Sequence, residues 1–550
     1  MSILAINSPY RSGSDDNYAL PGGTPTSLLF ALSEVNDVDT IPIFNYPIWS
    51  DTTKKLLIET LEKKNPNIVL CSTTSPGRAY ILQIAEIIKE YNPAIQIIVG
   101  GPDCDESLIR HGNNVIINQD GILGDANNKK HYLDYIVATQ WMSGAKILPH
   151  VLKALNKWYR WIQVIDQLRK TPIHGQSIVW FQSQNIIQTA VIGNKWSNYS
   201  YENNFYRFSK PSTYFQTFDR LGSRYLTINA FSSLGCPYNC LYCSESTDVQ
   251  GKIVKQNTNI HITHDRPEWY YQIRDTIPHK TSLSPMVLNA LDRALLGCHQ
   301  WAQALWFEDS TIFLWQWDVM KQWYEILIRL KAFVWDTSIP QETQTRIQEL
   351  KWWCQMTFNE PLKRLQKYPD IFDYMKKSGC TYIFFWWEWL TQDTMAKIQK
   401  SSVQQHKGDR YDRATQTLQE LKKNDFIVYM SLLFGLLWES KNSIDATIQR
   451  AAIWKEQWLV DGYSPNIMTY HPGSQATHQD NPPINYNAIN PIQRPYTAFE
   501  EADGDNTSIH LNCINNDKAQ TIEYIIEQLI KHIWPDLYGA HTPSRLHRYL

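Results

Sequence analysis

The stretch Asn65 to Gly101, NPNIVLCSTTSPGRAYILQIAEIIKEYNPAIQIIVGG, constrains the fold more than any other part of the chain. Two short runs rich in β-branched residues enclose a segment that places Ile81, Ile84, Ala85 and Ile88 at helical spacing on one face. Apolar runs without alternation suit strands buried on both faces, and a helix between two such runs is the crossover that parallel pairing needs. Similar runs at Ser2 to Asn7, Thr40 to Asn45, Asn67 to Ser72, Gln96 to Gly100 and Asn114 to Asn118 repeat the pattern. Repetition predicts a doubly wound parallel sheet over residues 1–150, with any ligand at the carboxyl ends of its strands.

Residues 151–220 read as a connecting segment, with a Trp-rich helix, LNKWYRWIQVIDQLRK, and a hairpin, IVWFQSQNIIQTAVI. From Leu226 the alternation resumes at wider spacing, and LTINAFSS, ALWFEDS, WWCQMTF, TYIFFWWEW, IVYMSLLFG and SPNIMTYHP predict six buried strands separated by helices. Six such repeats over residues 221–477 fit a partial or complete (β/α) barrel, again with its active face at the strand carboxyl ends. Residues 478–550 are expected to be a small, mostly helical region, its clearest helix being KAQTIEYIIEQLIKHIW.

Composition narrows the function classes. Lys and Arg total 52 against 54 Asp and Glu, a formal net charge of -2, so no global attraction to nucleic acid or an anionic membrane is expected. The beginning MSILAINSPY lacks a basic region followed by a long apolar one, and the longest apolar run, Phe426 to Trp438, falls short of the ~18 residues of a span. A cytoplasmic protein without a membrane span is the resulting expectation. Nine cysteines in 550 residues are too sparse for a disulfide scaffold.

Three of those cysteines crowd together. LGCPYNCLYCSES places Cys236, Cys240 and Cys243 in a C-x3-C-x2-C arrangement directly after a predicted strand. Soft thiolates select zinc, copper(I) or iron-sulfur clusters, and a cluster with three protein thiolates keeps one iron open for chemistry. Structural zinc would need a fourth ligand borrowed from His261, His264 or Cys298, and would make the chain a non-enzymatic metal-binding module. The other cysteines, at 71, 104, 298, 354, 380 and 513, are scattered singly and read as small buried hydrophobes.

The triad closely resembles that of the radical S-adenosylmethionine superfamily, in which such a loop follows the first strand of a (β/α)6 partial barrel. The resemblance implies a [4Fe-4S] cluster on Cys236, Cys240 and Cys243 that binds S-adenosylmethionine at its open iron and cleaves it to a 5′-deoxyadenosyl radical. It also implies an external one-electron reductant such as flavodoxin or ferredoxin. Tyr242 matches the aromatic residue packed near the adenine. LWFEDSTIF, with Glu308 and Asp309, resembles the acidic end of the second strand, which puts Asp309 among the residues expected to bind S-adenosylmethionine. KYPDIFDYMKKSGCTYIFFWWEW resembles the helix and fourth strand, which puts Glu388 at the S-adenosylmethionine-contacting glutamate. VYMSLLFGLLWES resembles the fifth strand, with Gly435 and Glu439 retained, and NIMTYHPGS the sixth. Departures stand beside these matches. Trp386 and Trp389 occupy positions normally held by Gly and Ser, and Leu437 and Trp438 replace Pro and Gly.

Ahead of such a domain, the first 150 residues are similar to a Rossmann-like cobalamin-binding domain. The likeness implies that Ser72 and Thr73 after one strand, and Gly100 and Gly101 after the next, bracket the cobalamin nucleotide tail. No Asp-x-His-x-x-Gly motif supplies a lower axial histidine, and NVIINQDGILGD lacks the Gly-Glu-Gly-Glu signature frequent in relatives. The expectation is a cobalamin-dependent radical enzyme that methylates an unactivated carbon of a small-molecule substrate. Ring formation or oxidation without methyl transfer fits the same architecture, and no residue decides between them.

Overall fold

A computed structural model describes residues 2–9, 11–12, 26–32, 35, 41–46, 48–73, 77–101, 104, 108–111, 114–117, 122, 132–139, 143–156, 177–181, 186–188, 216–220, 223–230, 232, 240, 243, 268–269, 283–307, 309, 312, 316–332, 339–356, 367–386, 410–434, 440–467 and 517–533. The chain divides into two compact units. The first comprises Met1–Tyr214, Cys243–Gln250 and Thr469–Cys513, and the second Phe215–Tyr242, Gly251–Met468 and Ile514–Leu550.

The first unit runs β1 (Ile3–Asn7), β2 (Arg11–Ser12), α1 (Thr26–Leu32), β3 (Ile43–Asn45), β4 (Ile48–Trp49), α2 (Asp51–Lys64), β5 (Ile68–Ser72), α3 (Arg78–Tyr91), β6 (Gln96–Gly100), β7 (Leu108–His111), β8 (Asn114–Ile117), β9 (Tyr135–Thr139), α4 (Ser143–Asn156), β10 (Ser177–Phe181) and β11 (Ile186–Gln188). Its main sheet has the order β11-β10-β9-β6-β5-β1-β3. The strands β3, β1, β5, β6 and β9 are parallel, while the β10–β11 hairpin extends the sheet antiparallel. Counting the parallel strands alone in chain order gives 2-1-3-4-5, whose switch point lies between β1 and β5.

Both faces are covered. Leu57, Leu61, Ile81, Ile84, Ala85 and Ile88 of α2 and α3 share one buried cluster with Leu4, Ile6, Val69, Cys71, Ile97 and Val99. Leu28, Leu32, Ile147 and Val151 of α1 and α4 share another with Ile3, Ala5, Ile68, Leu70 and Ile98. Successive strand residues point to opposite faces, so each strand feeds both clusters, which is why these runs are apolar without alternation. The helix α2 starts at a capping box between Ser50 and Thr53 and stops at Asn65, whose φ of 42° is left-handed.

One expected strand lies elsewhere. Asn114–Ile117 pairs antiparallel with β7 in a separate two-stranded ribbon, in a register that leaves two residues, Gly112 and Asn113, between the strands. Gly-Asn is a hairpin signal, and the fifth parallel strand is instead Tyr135–Thr139. At its start Asp134 accepts from the Ile97 N–H at 2.7 Å and from Lys89 Nζ at 2.7 Å, which ties β9, β6 and α3 together.

The second unit runs β12 (Gln216–Arg220), β13 (Ser223–Ala230), α5 (Pro285–Gln300), β14 (Ala304–Phe307), α6 (Trp317–Ala332), α7 (Gln341–Glu349), β15 (Lys351–Met356), α8 (Ile371–Ser378), β16 (Cys380–Trp386), α9 (Arg410–Lys423), β17 (Ile427–Phe434), α10 (Lys441–Glu456), β18 (Gly462–Ile467) and α11 (Asp517–His532). Its sheet follows chain order from β12 to β18, and all six predicted strands, β13 to β18, pair in parallel. The short β12 joins antiparallel at the edge.

Aromatic residues separate by strand parity. On the helix-covered face Trp352 stacks on Tyr324 at 5.7 Å and meets Phe307 and Trp323 edge-on. On the opposite face Tyr225, Trp306, Trp353, Tyr382, Phe384 and Tyr429 pack on one another around buried Ala304, Trp353 and Tyr382. Most of the described tryptophans therefore serve packing, with Trp301, Trp386 and Trp458 as exposed exceptions.

Candidate functional site

The first candidate lies where β1, β5 and β6 of the first unit end. Ser8 donates its N–H to the Ser72 carbonyl at 2.9 Å, and Thr73 donates its N–H to the Gly100 carbonyl at 2.9 Å, so the three strand ends are laced together past the last sheet residues. Asn7 reaches across to Asn45 at 2.9 Å at the end of β3. Ser72 and Thr73 are buried. Gly101 has φ of +108°, and a Cβ there would lie 2.7 Å from the Thr73 carbonyl oxygen and 2.9 Å from Ser72 Oγ. No side chain fits in that position. Gly100 differs, since a Cβ on it would meet only the Val137 carbonyl at 3.5 Å and would protrude above the strand end. The four expected residues, Ser72, Thr73, Gly100 and Gly101, are thus brought together at the adjacent carboxyl ends of β5 and β6, beside the switch point, as a floor without bulky side chains.

Gly77, absent from the expected set, belongs to the same place. A Cβ on it would lie 2.2 Å from Ser8 Oγ and 2.8 Å from the Pro9 carbonyl, so the turn into α3 passes against the end of β1 only as glycine. Its signal was a lone glycine in a strand-to-helix turn.

The second candidate is the loop after β13. Cys240 is buried and Cys243 half-buried, and neither forms a disulfide. Among the described residues no three His, Cys, Asp or Glu side chains converge as metal ligands, and Cys236 lies outside those residues. Tyr242, Glu308, Glu388, Trp389, Gly435, Leu437, Trp438 and Glu439 also lie outside them, as do His261 and His264. Asp309, just beyond β14, is buried and accepts from two donors of Ser232, the N–H shared between both oxygens at 2.9 and 2.8 Å and the hydroxyl at 2.6 Å.

Trp386 ends β16 with its ring partly exposed, its indole N–H donating to Gln355 Oε1 at 2.5 Å and its edge against Phe384 at 5.2 Å. A rigid aromatic wall therefore stands at the carboxyl end of the fourth parallel strand. The remaining described cysteines behave as core. Cys71, Cys104, Cys298, Cys354 and Cys380 are buried, and burial pushes the Cys71 and Cys298 thiols up to about 12. Cys298, on α5, belongs to no group of three metal-ligand side chains among the described residues. No described helix is long and apolar enough to cross a membrane.

No protein-family model matches the chain, and no curated protein matches its sequence. Solved structures do. One is the radical S-adenosylmethionine methyltransferase TsrM from Kitasatospora setae with cobalamin and a [4Fe-4S] cluster bound, at 12% identity and a TM-score of 0.51 over 86% of this chain and 77% of that one. Another is the cobalamin-dependent S-adenosylmethionine radical enzyme OxsB with aqua-cobalamin bound, at 11% identity and a TM-score of 0.48 over 82% of this chain and 52% of that one. At such identity the likeness to TsrM is one of fold, and it agrees with the resemblance read from the cysteine loop.

Proposed function

We propose that this chain is a cobalamin-dependent radical S-adenosylmethionine enzyme that transfers a methyl group to an unactivated carbon of a small-molecule substrate. The observation that carries the reading is a conjunction within one chain. A doubly wound unit presents Ser72, Thr73, Gly100 and Gly101 beside its switch point, and a run of six parallel strands has a first strand that leads into Cys236, Cys240 and Cys243. In this reading residues 1–150 are the cobalamin domain, 151–220 connect, 221–477 form a (β/α)6 partial barrel, and 478–550 are a helical appendage.

The residues suit the groups they would hold. A bare floor at Gly100, over a Gly101 that admits no side chain, lets a wide planar ligand approach the backbone of β5 and β6. Three cysteine thiolates are the donor set for a cluster with an open iron, and the cluster would supply the single electron that cleaves the cosubstrate. Tyr242 would pack near the adenine of S-adenosylmethionine, Glu388 and Glu439 would contact the same cosubstrate, and the Trp386 indole, held by Gln355, would limit the space beside them. Reduced cysteines suit a cytoplasmic enzyme served by an external one-electron donor.

Anaerobic reconstitution with iron, sulfide, cobalamin and S-adenosylmethionine under reduction tests this reading. Formation of both 5′-deoxyadenosine and S-adenosylhomocysteine is expected. Deoxyadenosine alone would replace methyl transfer with radical ring closure or oxidation, and neither product would end the enzymatic reading.

A further inference from the structure

Ser232 follows β13 by two residues and precedes Cys236 by four. It is fully buried, and so, at 4% exposure, is Asp309. The two lie 77 residues apart, just beyond neighbouring parallel strands whose final paired residues are Ala230 and Phe307. Asp309 receives the Ser232 N–H on both carboxylate oxygens and the Ser232 hydroxyl on Oδ1. The carboxylate is thus turned onto one shared N–H and one hydroxyl at the strand ends, with only 4% of its surface exposed. A buried carboxylate also persists only when donors surround it, which makes this clasp a condition of the fold at that point.

We infer that Asp309 is a positioning residue that fixes, through Ser232, where the cysteine loop leaves the sheet, and that it is not a contact for S-adenosylmethionine. The inference rests on the reading of Cys236, Cys240 and Cys243 as cluster ligands. It assigns the acidic end of the second strand a different task from the one the resemblance implies. The clasp fixes Ser232 four residues ahead of Cys236, a support of the kind that partners behind metal ligands give to the ligands themselves.

The test uses the full chain and three variants, Asp309→Ala, Asp309→Asn and Ser232→Ala. In metal-free protein, amide exchange across 232–243 is expected to be about ten-fold faster in Asp309→Ala, with β15 to β18 unchanged, because strong local hydrogen bonds govern local opening. In anaerobically reconstituted protein, iron retention against a chelator is expected to fall about ten-fold in the same variant. Asparagine keeps one acceptor and should rescue part of both effects, while Ser232→Ala, which loses only the hydroxyl donation, should fall between wild type and Asp309→Ala. Wild-type exchange and iron retention combined with weakened S-adenosylmethionine binding would overturn the inference, since Asp309 would then be a ligand. Faster exchange spread evenly over β13 to β18 would overturn it too, as a merely structural role. Absence of iron from the wild-type chain would sink the cluster reading instead, and the exchange measurement would still decide the clasp.

Discussion

At Gly101 a single hydrogen in place of a side chain decides whether two strand ends can lie side by side. Its positive φ and the 2.7 Å approach to the Thr73 carbonyl mean that Gly101→Ala must move the end of β5 or β6. The expected cost is about 1–3 kcal/mol in urea unfolding of the first unit, with corrinoid affinity reduced more than stability alone explains. Trp386 answers to the opposite logic. Its ring is partly exposed and makes one indole hydrogen bond to Gln355, so Trp386→Phe should change stability by no more than about 1.5 kcal/mol. Any larger effect on product formation would then report on the space beside the strand end. That Ser72, Thr73, Gly100 and Gly101 meet at adjacent strand ends was legible in the sequence, because small residues after consecutive strands form a local pattern. Sequence alone missed Gly77, whose need arises from Ser8 and Pro9 just beyond β1, and it missed the Ser232 clasp, because a pairing across 77 residues leaves no local trace.

Strands were the legible elements. All six parallel strands of the second sheet lie where their apolar runs predicted, since most of those runs are apolar on both sides of the pleat. Asn114–Ile117 carries the same signal in a ribbon, because three consecutive β-branched residues suit any buried or half-buried strand and the pairing partner is chosen by the turn. The layer of Phe307, Trp323, Tyr324 and Trp352 makes a direct prediction: Trp352 has no exposed surface and an indole N–H bonded to Ser378, so Trp352→Ala should cost about 3–5 kcal/mol in the second unit. Lys331 on α6 donates to the Leu350 carbonyl at 2.7 Å and the Gln348 carbonyl at 3.1 Å, joining α6 to the connection between α7 and β15. Burial, with help from nearby Lys351, lowers its pKa to about 8. The folded chain then binds this proton less tightly than the unfolded chain, so protonation opposes folding at neutral pH, and the penalty fades as pH rises from about 8 toward the unfolded value near 10.4. Urea midpoints of wild type and Lys331→Met at about pH 7.5 and about pH 9.5 should therefore diverge in favour of wild type at the higher pH. A constant gap would contradict this.

Over the whole molecule, the sequence disclosed two parallel α/β units because their alternations differ in spacing, and the cysteine triad suggested what the second one holds. The carboxyl-terminal helix was legible as an amphipathic run, but its mooring was not. Tyr524 donates to Asp445, Lys441 lies 4.4 Å from the Tyr524 ring centre, and Lys455 donates to the Ile533 carbonyl, all against α10. With Ile525, Leu529 and Ile533 buried, deletion of residues 517–550 should destabilise the second unit by at least about 3 kcal/mol in urea. The central claim concerns a metal centre with one open iron, and iron and sulfide analysis of the anaerobically reconstituted full chain tests it most directly. Brown protein with about four irons and four sulfides per chain, lost in Cys240→Ala, is the predicted result. Colourless protein that carries stoichiometric zinc and keeps its fold without iron would contradict it.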